Sequence, residues 1–281
     1  MSHPKKSLGQ NFLRDEKVLK KIISSANLNV DDFVLEIGPG KGVLTEELAK
    51  HAGKVLALEI DSELCNLLRN KFSNKKKVEI ANADILKINL TELFPHPANA
   101  TLSLHRERGL GGEGGYKVVA NLPYYITSPI IRLFLESENP PSEMILMVQK
   151  EVAERIVARP GKMSILALSV QYYARAELLF AVNKNSFFPV PKVDSCVIKI
   201  VPYPHSSPLP EGEGEFRKKF FRIVRAGFSA KRKMLANNLA NGFHLDKKEV
   251  EEKLKKAGIS PTARAQELSI EHWKILAKIF R

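Results

Sequence analysis

The sequence predicts an α/β fold, in which a doubly wound and mostly parallel sheet is followed by a small all-helical domain. From residue 29 to about residue 203, short apolar runs alternate with amphipathic segments, as in repeated strand–helix units. Glycines cluster at the first strand-to-helix turn of this region. After about Tyr203 the apolar residues recur every three or four positions, which predicts helices alone.

The apolar segments predict the order of the elements. The first run, Phe33–Ile37, ends at a glycine-rich turn and predicts a strand buried on both faces. Leu44 and Leu48 stand four residues apart within 43–51, which predicts a helix. The next strands are predicted within 54–61, 77–86, 116–125 and 142–149, and the strand in 77–86 is predicted to end at Asp84. The last strands are predicted within 165–182 and 194–203. The intervening helices are predicted at 62–72, 129–137 and 150–159.

Composition divides the chain into a domain at 1–203, a linker at 204–215 and a helical domain at 216–281. Two segments, 95–115 and 202–215, are rich in Pro, Gly, Ser and Glu and lack periodicity, so we expect loops or inserts there. The first would be an insert at the rim of the sheet, and the second would join the domains. The helices of the last domain are predicted at 216–240, 247–258 and 269–280.

The net charge of +13 is concentrated near the C-terminal end. Residues 216–281 contain 17 Lys and Arg against 6 Asp and Glu, so they carry +11 and the first 215 residues carry only +2. Such asymmetry is typical of a protein that binds a polyanion, and it favours nucleic acid as the partner. The alternative is a solvated basic surface that serves solubility.

Cysteine usage and hydropathy bear on the compartment. Cys65 and Cys196 lie far apart in apolar stretches and have no metal-binding or redox spacing, so we expect buried thiols, a reducing compartment and no metal site. The N-terminal residues lack the apolar core of a signal peptide. The sequence contains no run of about 18 apolar residues, so no membrane span is predicted. We therefore expect a cytoplasmic protein without a membrane partner.

The glycine-rich turn predicts a cofactor site. In the segment EIGPGKG, Gly38 and Gly40 follow the first predicted strand, where glycine lets a ligand approach the main chain closely. Glu59 ends the next strand and is placed to accept hydrogen bonds from ribose hydroxyls. Asp84 ends the third strand, where it or its neighbours would meet an adenine amino group. These strand ends predict an adenosine-bearing cofactor, against the alternative of a tight turn and two solvated acids.

The details of the turn narrow the choice of cofactor. A nicotinamide site prefers Gly-x-Gly-x-x-Gly, and Val43 stands where the last glycine would be. A phosphate-binding loop needs Gly-Lys-Ser/Thr, which GKGVLT does not supply. S-adenosylmethionine has no phosphate and needs no such loop, so the residues favour it.

The segment NLPYYIT at 121–127 predicts a site for an amine on a nucleobase. The Asn121 side-chain oxygen and the Leu122 or Pro123 carbonyl are two acceptors for the two N–H groups of an exocyclic amine. Proline cannot donate a hydrogen bond and stiffens the turn. Tyr124 offers a face on which a base stacks. The alternative is a buried turn with tyrosines packed in the core.

Several segments together resemble a known family. KKSLGQNFL, VLEIGPGKGVLT, NADIL, NLPYYITSPI, MVQKEVAERI and FFPVPKVDS occur in this order along nearly the whole chain, apart from the two inserts. They resemble the KsgA/Dim-type ribosomal RNA adenine dimethyltransferases. The resemblance implies a Rossmann-like class I S-adenosylmethionine-dependent methyltransferase sheet. It also implies dimethylation of N6 in two adjacent adenosines of a hairpin loop near the 3′ end of small-subunit rRNA.

The same resemblance implies roles for individual residues. Asn11 and Leu13 of QNFL would border the cofactor, with Gly38 in backbone contact, Glu59 on the ribose and Asp84 on the adenine. Asn121 would lie between the cofactor and the target amine. Tyr124 would stack on one face of an adenine extruded from the RNA, and Phe187 would be the second stacking aromatic. For Phe187 the alternative is ordinary core packing.

Two other functions compete with this one. The related group that methylates large-subunit rRNA and confers antibiotic resistance shares QNFL, the glycine turn and an Asn-x-Pro-Tyr/Phe motif. FFPVPKVDS and RAGFSAKRKMLANNL favour the small-subunit group. A weakly catalytic ribosome-assembly factor is the third possibility, against which the intact Asn121 and Tyr124 argue. The resemblance also implies that the basic helical domain binds rRNA backbone. We expect a monomer.

Overall fold

The computed structural model describes residues 4–5, 8–94, 115–204 and 212–280. Nearly all of the predicted insert at 95–115, and residues 205–211 of the predicted linker, lie outside them. The strands are β1 (Phe12–Leu13), β2 (Phe33–Ile37), β3 (Lys54–Glu59), β4 (Val78–Asn82), β5 (Tyr116–Asn121), β6 (Glu143–Gln149), β7 (Ala174–Val182), β8 (Phe187–Phe188) and β9 (Ser195–Pro202).

The helices alternate with these strands in the first part of the chain and stand alone after β9. In chain order they are α1 (Glu16–Ala26), α2 (Val43–His51), α3 (Ser62–Lys71), α4 (Leu90–Leu93), α5 (Thr127–Leu135), α6 (Lys150–Ile156), α7 (Ile165–Tyr173), α8 (Glu213–Gly227), α9 (Leu235–Phe243), α10 (Lys247–Lys256) and α11 (Ile270–Ile279). Asp15 and Asp61 cap α1 and α3 by accepting backbone N–H groups of the first turn.

Seven strands form one mixed sheet in the order β4-β3-β2-β5-β6-β9-β7. β4, β3, β2, β5 and β6 pair in parallel, whereas β9 pairs antiparallel with both β6 and β7. All five residues of β2 are buried, as expected for a parallel strand covered on both faces. The predicted α/β class with a mostly parallel sheet is confirmed. The carboxyl ends of β2, β3, β4 and β5 therefore meet at one edge.

Two element predictions were wrong. Residues 165–182 were predicted as strand, but 165–173 form α7 and only the remainder forms β7. An apolar run such as ILALSVQYY does not by itself distinguish a strand from a buried helix. Residues 216–240 were predicted as one helical run, but α8 ends at Gly227 and α9 begins at Leu235. The buried Asn238 amide donates to the carbonyls of Gly227 and Ala230, which stabilises the break.

The chain divides into two compact units, which are not continuous in sequence. One comprises residues 1–153 and 173–202, and the other comprises residues 154–172 and 203–281. The sequence boundary at residue 203 assigns 154–172 to the first domain. In the structure, Met163 and Leu168 of that segment are buried with the C-terminal helices around Trp273. Burial of these apolar side chains explains why the segment belongs to the helical unit.

Within the described ranges, no helix is long and apolar enough to cross a bilayer. The same part of the chain has no cluster of three or more His, Cys, Asp or Glu side chains arranged to hold a metal ion. Cys65 and Cys196 are both buried, as predicted.

Candidate active site

A pocket of about 180 Å³ lies at the carboxyl edge of the parallel strands. It is bordered by the ends of β2, β3 and β5, by the segment after β4, and by the N-terminal segment around β1. The predicted site residues that line it are Asn11, Leu13, Gly38, Gly40, Glu59, Asp84, Asn121, Leu122, Pro123 and Tyr124. The structure thus brings together every predicted site residue except Phe187.

Glu59 organises the glycine turn. Its Oε2 accepts the N–H of Gly40 at 3.1 Å, and its Oε1 accepts the N–H of Asp61 at 2.9 Å. Gly38 and Gly40 have φ of +66° and +60°, values that favour glycine. Glu59 is only 4% exposed, and burial raises the pKa of its carboxyl group, although the backbone hydrogen bonds oppose this effect. A single carboxylate therefore supports the turn and faces the pocket.

The N-terminal segment is fastened beside the turn by Asp61. Lys5 Nζ and Gln10 Nε2 donate to the two Asp61 oxygens at 2.9 and 3.1 Å, and Gln10 Oε1 accepts the Lys5 backbone N–H at 2.7 Å. A Cβ on Gly40 would stand 2.9 Å from the Phe12 ring, so QNFL packs directly on the turn. Sequence reasoning missed Gln10 and Asp61, although KKSLGQNFL was among the segments that carried the resemblance.

The Asn121 side chain is held by a hydrogen bond to the N-terminal segment. Its Nδ2 donates to the Asn11 carbonyl at 3.2 Å, which leaves Oδ1 as the acceptor available to a ligand. The Leu122 N–H donates to the Met147 carbonyl of β6 at 3.1 Å, which ties the start of the following turn to that strand. The Pro123 carbonyl accepts the Ile126 N–H at 3.2 Å. Of the two backbone acceptors that the sequence suggested, Pro123 is thus already engaged and Leu122 is the better candidate.

Tyr124 is anchored by a residue that sequence reasoning missed. Its hydroxyl lies 2.8 Å from the Ser195 Oγ, and Ser195, the first residue of β9, has no exposed surface. Burial raises the pKa of the Tyr124 hydroxyl. Ser195 is the last residue of FFPVPKVDS, so the motif was visible although its contact was not. The bond fixes the far end of the Tyr124 ring at the pocket.

Phe187 does not line the pocket. It is 2% exposed and pairs with Leu13 in the two-stranded β1–β8 ribbon, within a core cluster that includes Val119 and Met147. The stacking role predicted for Phe187 stays a prediction, and this placement matches the core-packing alternative. The next residue, Phe188, points the other way and is 43% exposed.

Glu36 is a second buried carboxyl group on the pocket wall, and sequence reasoning missed it. It lies on β2 just before Gly38 and is 1% exposed. Its Oε2 has no hydrogen-bond partner among the described residues. Burial raises the pKa of Glu36 to about 8, and nearby Glu59 adds to this effect, while the Thr45 hydroxyl and Lys71 oppose it. Burial thus favours the neutral, protonated form of Glu36.

A model of the ribosomal RNA adenine dimethylase family matches residues 1–281. This chain belongs to that family. Ribosomal RNA small subunit methyltransferase A of Dehalococcoides mccartyi is 43% identical over 276 residues, covering 98% of this chain and 88% of that protein. The protein of the same description from Clostridioides difficile is 41% identical over 276 residues, covering 98% of this chain and 90% of that protein.

Solved structures of related enzymes share the fold of this family member. The 23S rRNA methyltransferase ErmE matches with a TM-score of 0.72 and 29% identity, over 96% of this chain and 99% of that one. A dimethyladenosine transferase from Plasmodium falciparum matches with a TM-score of 0.73 and 26% identity, over 94% of this chain and 95% of that one. The Rossmann-like class I methyltransferase sheet with C-terminal helices is thereby confirmed, as is the predicted family.

Proposed function

We propose that this protein transfers methyl groups from S-adenosylmethionine to N6 of two adjacent adenosines in the 3′-terminal hairpin loop of small-subunit (16S) rRNA. The observation that carries the proposal is the full-length match to small-subunit methyltransferases at 41–43% identity. The large-subunit enzyme ErmE is 29% identical. The enzyme acts in the cytoplasm as a monomer, on rRNA during ribosome biogenesis.

The pocket suits S-adenosylmethionine. A Cβ at Gly38 would have Pro123 Cδ, at 3.8 Å, as its nearest neighbour, so the backbone there is open to a ligand. Glu59 supplies acceptors for ribose hydroxyls, Asp84 receives the adenine end, and Asn11 and Leu13 close the side formed by the N-terminal segment. When bound, the cofactor supplies a methyl group already activated by its sulfonium. The residues here therefore need only position the two reactants and complement their charge.

The target amine lies between Asn121 and Leu122. The Asn121 Oδ1 and the Leu122 carbonyl accept its two N–H groups, which draws the nitrogen out of conjugation and directs its lone pair towards the cofactor. Asn11 orients the Asn121 amide through the 3.2 Å hydrogen bond. The Tyr124 ring, held by Ser195, stacks on the extruded adenine.

The helical unit binds the rRNA backbone. Exposed basic residues follow one another along α8 and the segment after it, where they attract phosphates. They are Lys218, Lys219, Arg222, Arg225, Lys231, Arg232 and Lys233. The Arg222 guanidinium lies 4.7 Å from the centre of the Phe243 ring, which fixes its direction.

Replacing Glu59 with alanine will weaken cofactor binding roughly ten- to hundredfold, because hydrogen bonds to a charged group are lost. The Gly40 N–H loses its acceptor in the same variant. Calorimetry with S-adenosylmethionine measures the effect. Glu59→Gln keeps one oxygen acceptor and is expected to fall between the wild type and Glu59→Ala. Unchanged affinity in Glu59→Ala would remove this residue from the cofactor site.

Removal of the Tyr124–Ser195 hydrogen bond will lower kcat by roughly three- to tenfold, the effect of one lost hydrogen bond. The KM for S-adenosylmethionine will stay unchanged, because the bond positions the base-stacking ring. Tyr124→Phe and Ser195→Ala remove the same bond, so the double variant will be no slower than the slower single variant. Multiplicative losses in the double variant would show that Ser195 does not act through Tyr124.

Mass spectrometry of nucleosides tests the function itself. Purified protein and S-adenosylmethionine are incubated with unmethylated ribosomal subunits, and dimethyladenosine is measured separately in the two rRNAs. Dimethyladenosine in the small-subunit hairpin is the expected result. Dimethyladenosine only in large-subunit rRNA would show that the protein is a large-subunit rRNA methyltransferase. Binding to the small subunit without product would favour an assembly factor.

A further inference from the structure

One face of the β1–β8 ribbon combines aromatic rings with cations beside the pocket. Phe12 and Phe188 are directly paired across the ribbon, so both rings lie on the same face, opposite the buried pair Leu13 and Phe187. The Arg14 guanidinium lies 4.0 Å from the centre of the Phe188 ring. Lys41 Nζ lies 5.1 Å from the centre of the Phe12 ring.

The loop after this ribbon is attached to the pocket at both ends. At its start, Phe187 pairs with Leu13, a residue of the pocket wall. At its end, Ser195 holds the hydroxyl of Tyr124, which also lines the pocket. The loop therefore begins and ends at the wall of the pocket that, in the proposed function, receives the target base.

Those exposed side chains are unusually apolar. Phe188 is 43% exposed, Val190 56% and Val193 44%. A single exposed apolar residue is common on a protein surface, but three within six residues form a patch. The cations Arg14 and Lys192 accompany them and are also exposed. An aromatic plane with adjacent positive charge matches a nucleobase and its phosphate better than it matches an apolar protein surface.

We propose that Phe188, together with Arg14, is a stacking site for the unpaired nucleobase next to the target adenosine. This inference rests on the proposed function, in which the substrate presents two adjacent adenosines in a loop. While one base is in the pocket against Tyr124, its neighbour stacks on Phe188 and its phosphate faces Arg14 and Lys192. Phe188 and Arg14 do not line the cofactor pocket, and the site does not include the buried Phe187.

The test compares Phe188→Leu, which keeps an apolar side chain, with Phe188→Trp, which keeps an aromatic face. The substrate is the small subunit, with either an intact hairpin or a hairpin in which one of the two adjacent adenosines is replaced by an abasic nucleotide. On intact subunits, Phe188→Leu is expected to lower kcat/KM for RNA by between about five- and 150-fold, the range for loss of one stacked base. Phe188→Trp is expected to keep near wild-type activity, and both variants to keep the wild-type KM for S-adenosylmethionine.

The abasic substrate gives the decisive comparison. The wild type will be less active on abasic subunits than on intact ones. On abasic subunits, Phe188→Leu will be as active as the wild type, because the base that stacks on Phe188 is already absent. Equal activity of Phe188→Leu and wild type on intact subunits overturns the stacking site while the proposed function stands. If Phe188→Leu is slower than the wild type by the same factor on both substrates, the stacking site is also overturned. It is overturned as well if sedimentation shows that the wild type is a dimer and that Phe188→Leu dissociates it. A wild type that forms no dimethyladenosine in small-subunit rRNA removes the proposed function and this inference together.

Discussion

Asn121→Ala will lose methyl transfer by a factor of about a hundred to a thousand, while its affinity for the small subunit stays within about twofold. The loss is that expected for one oriented polar group that acts on the transition state. In the proposed arrangement, the Asn121 Oδ1 accepts from the target amine, while the RNA is held mainly by basic residues elsewhere. Single-turnover methylation and filter binding with the same subunits measure the two quantities.

A second variant separates the acceptor from the packing of the side chain. Asn121→Asp keeps an oxygen acceptor but loses the N–H that donates to the Asn11 carbonyl. It is expected to be slower than wild type and faster than Asn121→Ala. If Asn121→Ala methylates at the normal rate, the proposed arrangement of amine and acceptors is wrong. If both variants are equally inactive and also fail to bind S-adenosylmethionine in calorimetry, Asn121 acts on the cofactor rather than on the amine.

Glu36→Gln will change how the free energy of unfolding depends on pH. Burial raises the pKa of Glu36 from an ordinary 4.5 to about 8 in the folded protein. Between these values the folded state holds a proton that the unfolded state has released, so the Glu36 contribution to stability falls as pH rises from about 4.5 towards 8. Glutamine does not titrate, so the variant gains stability relative to wild type across this window, by roughly 5 kcal/mol in total.

Denaturant unfolding of both proteins at a series of pH values between 5 and 8 measures this difference. Glu154→Gln, at an exposed glutamate of α6, is the matched control and is expected to follow the wild-type curve. If the free energy of unfolding depends on pH in the same way for wild type and Glu36→Gln, Glu36 is ionised in the folded protein. A positive charge beside it would then have to compensate the buried carboxylate.

Local sequence patterns were sufficient for much of the fold and for most of the pocket. Most of the parallel strands were predictable because they are short apolar runs, and their carboxyl ends meet at one edge by the geometry of strand–helix units. Glu59 and Asn121 end their strands, Gly38 directly follows β2, and Asp84, predicted to end its strand, lies two residues beyond the end of β4 at Asn82. Their convergence at the pocket followed from the same rule. The basic charge of residues 216–281 was likewise visible in composition alone.

The errors arose where burial rather than pattern decides the structure. ILALSVQYY became α7 because its apolar side chains pack among the C-terminal helices, which lie far along the chain. The helix expected at 216–240 breaks because Asn238 satisfies the carbonyls of Gly227 and Ala230. Neither effect leaves a periodic signal in the segment itself.

Short-range patterns and strand geometry were enough to predict the fold class, the glycine turn with its acidic strand ends, and the position of the Asn121 motif at the pocket. The partners that hold these residues depend on the folded chain. Asn11 orients Asn121, Ser195 anchors Tyr124, Glu59 supports Gly40, and Phe187 is buried while Phe188 is exposed. The hydrogen bonds among them join residues 19 to 110 positions apart, and burial depends on the whole packed core, so neither is written in any local pattern.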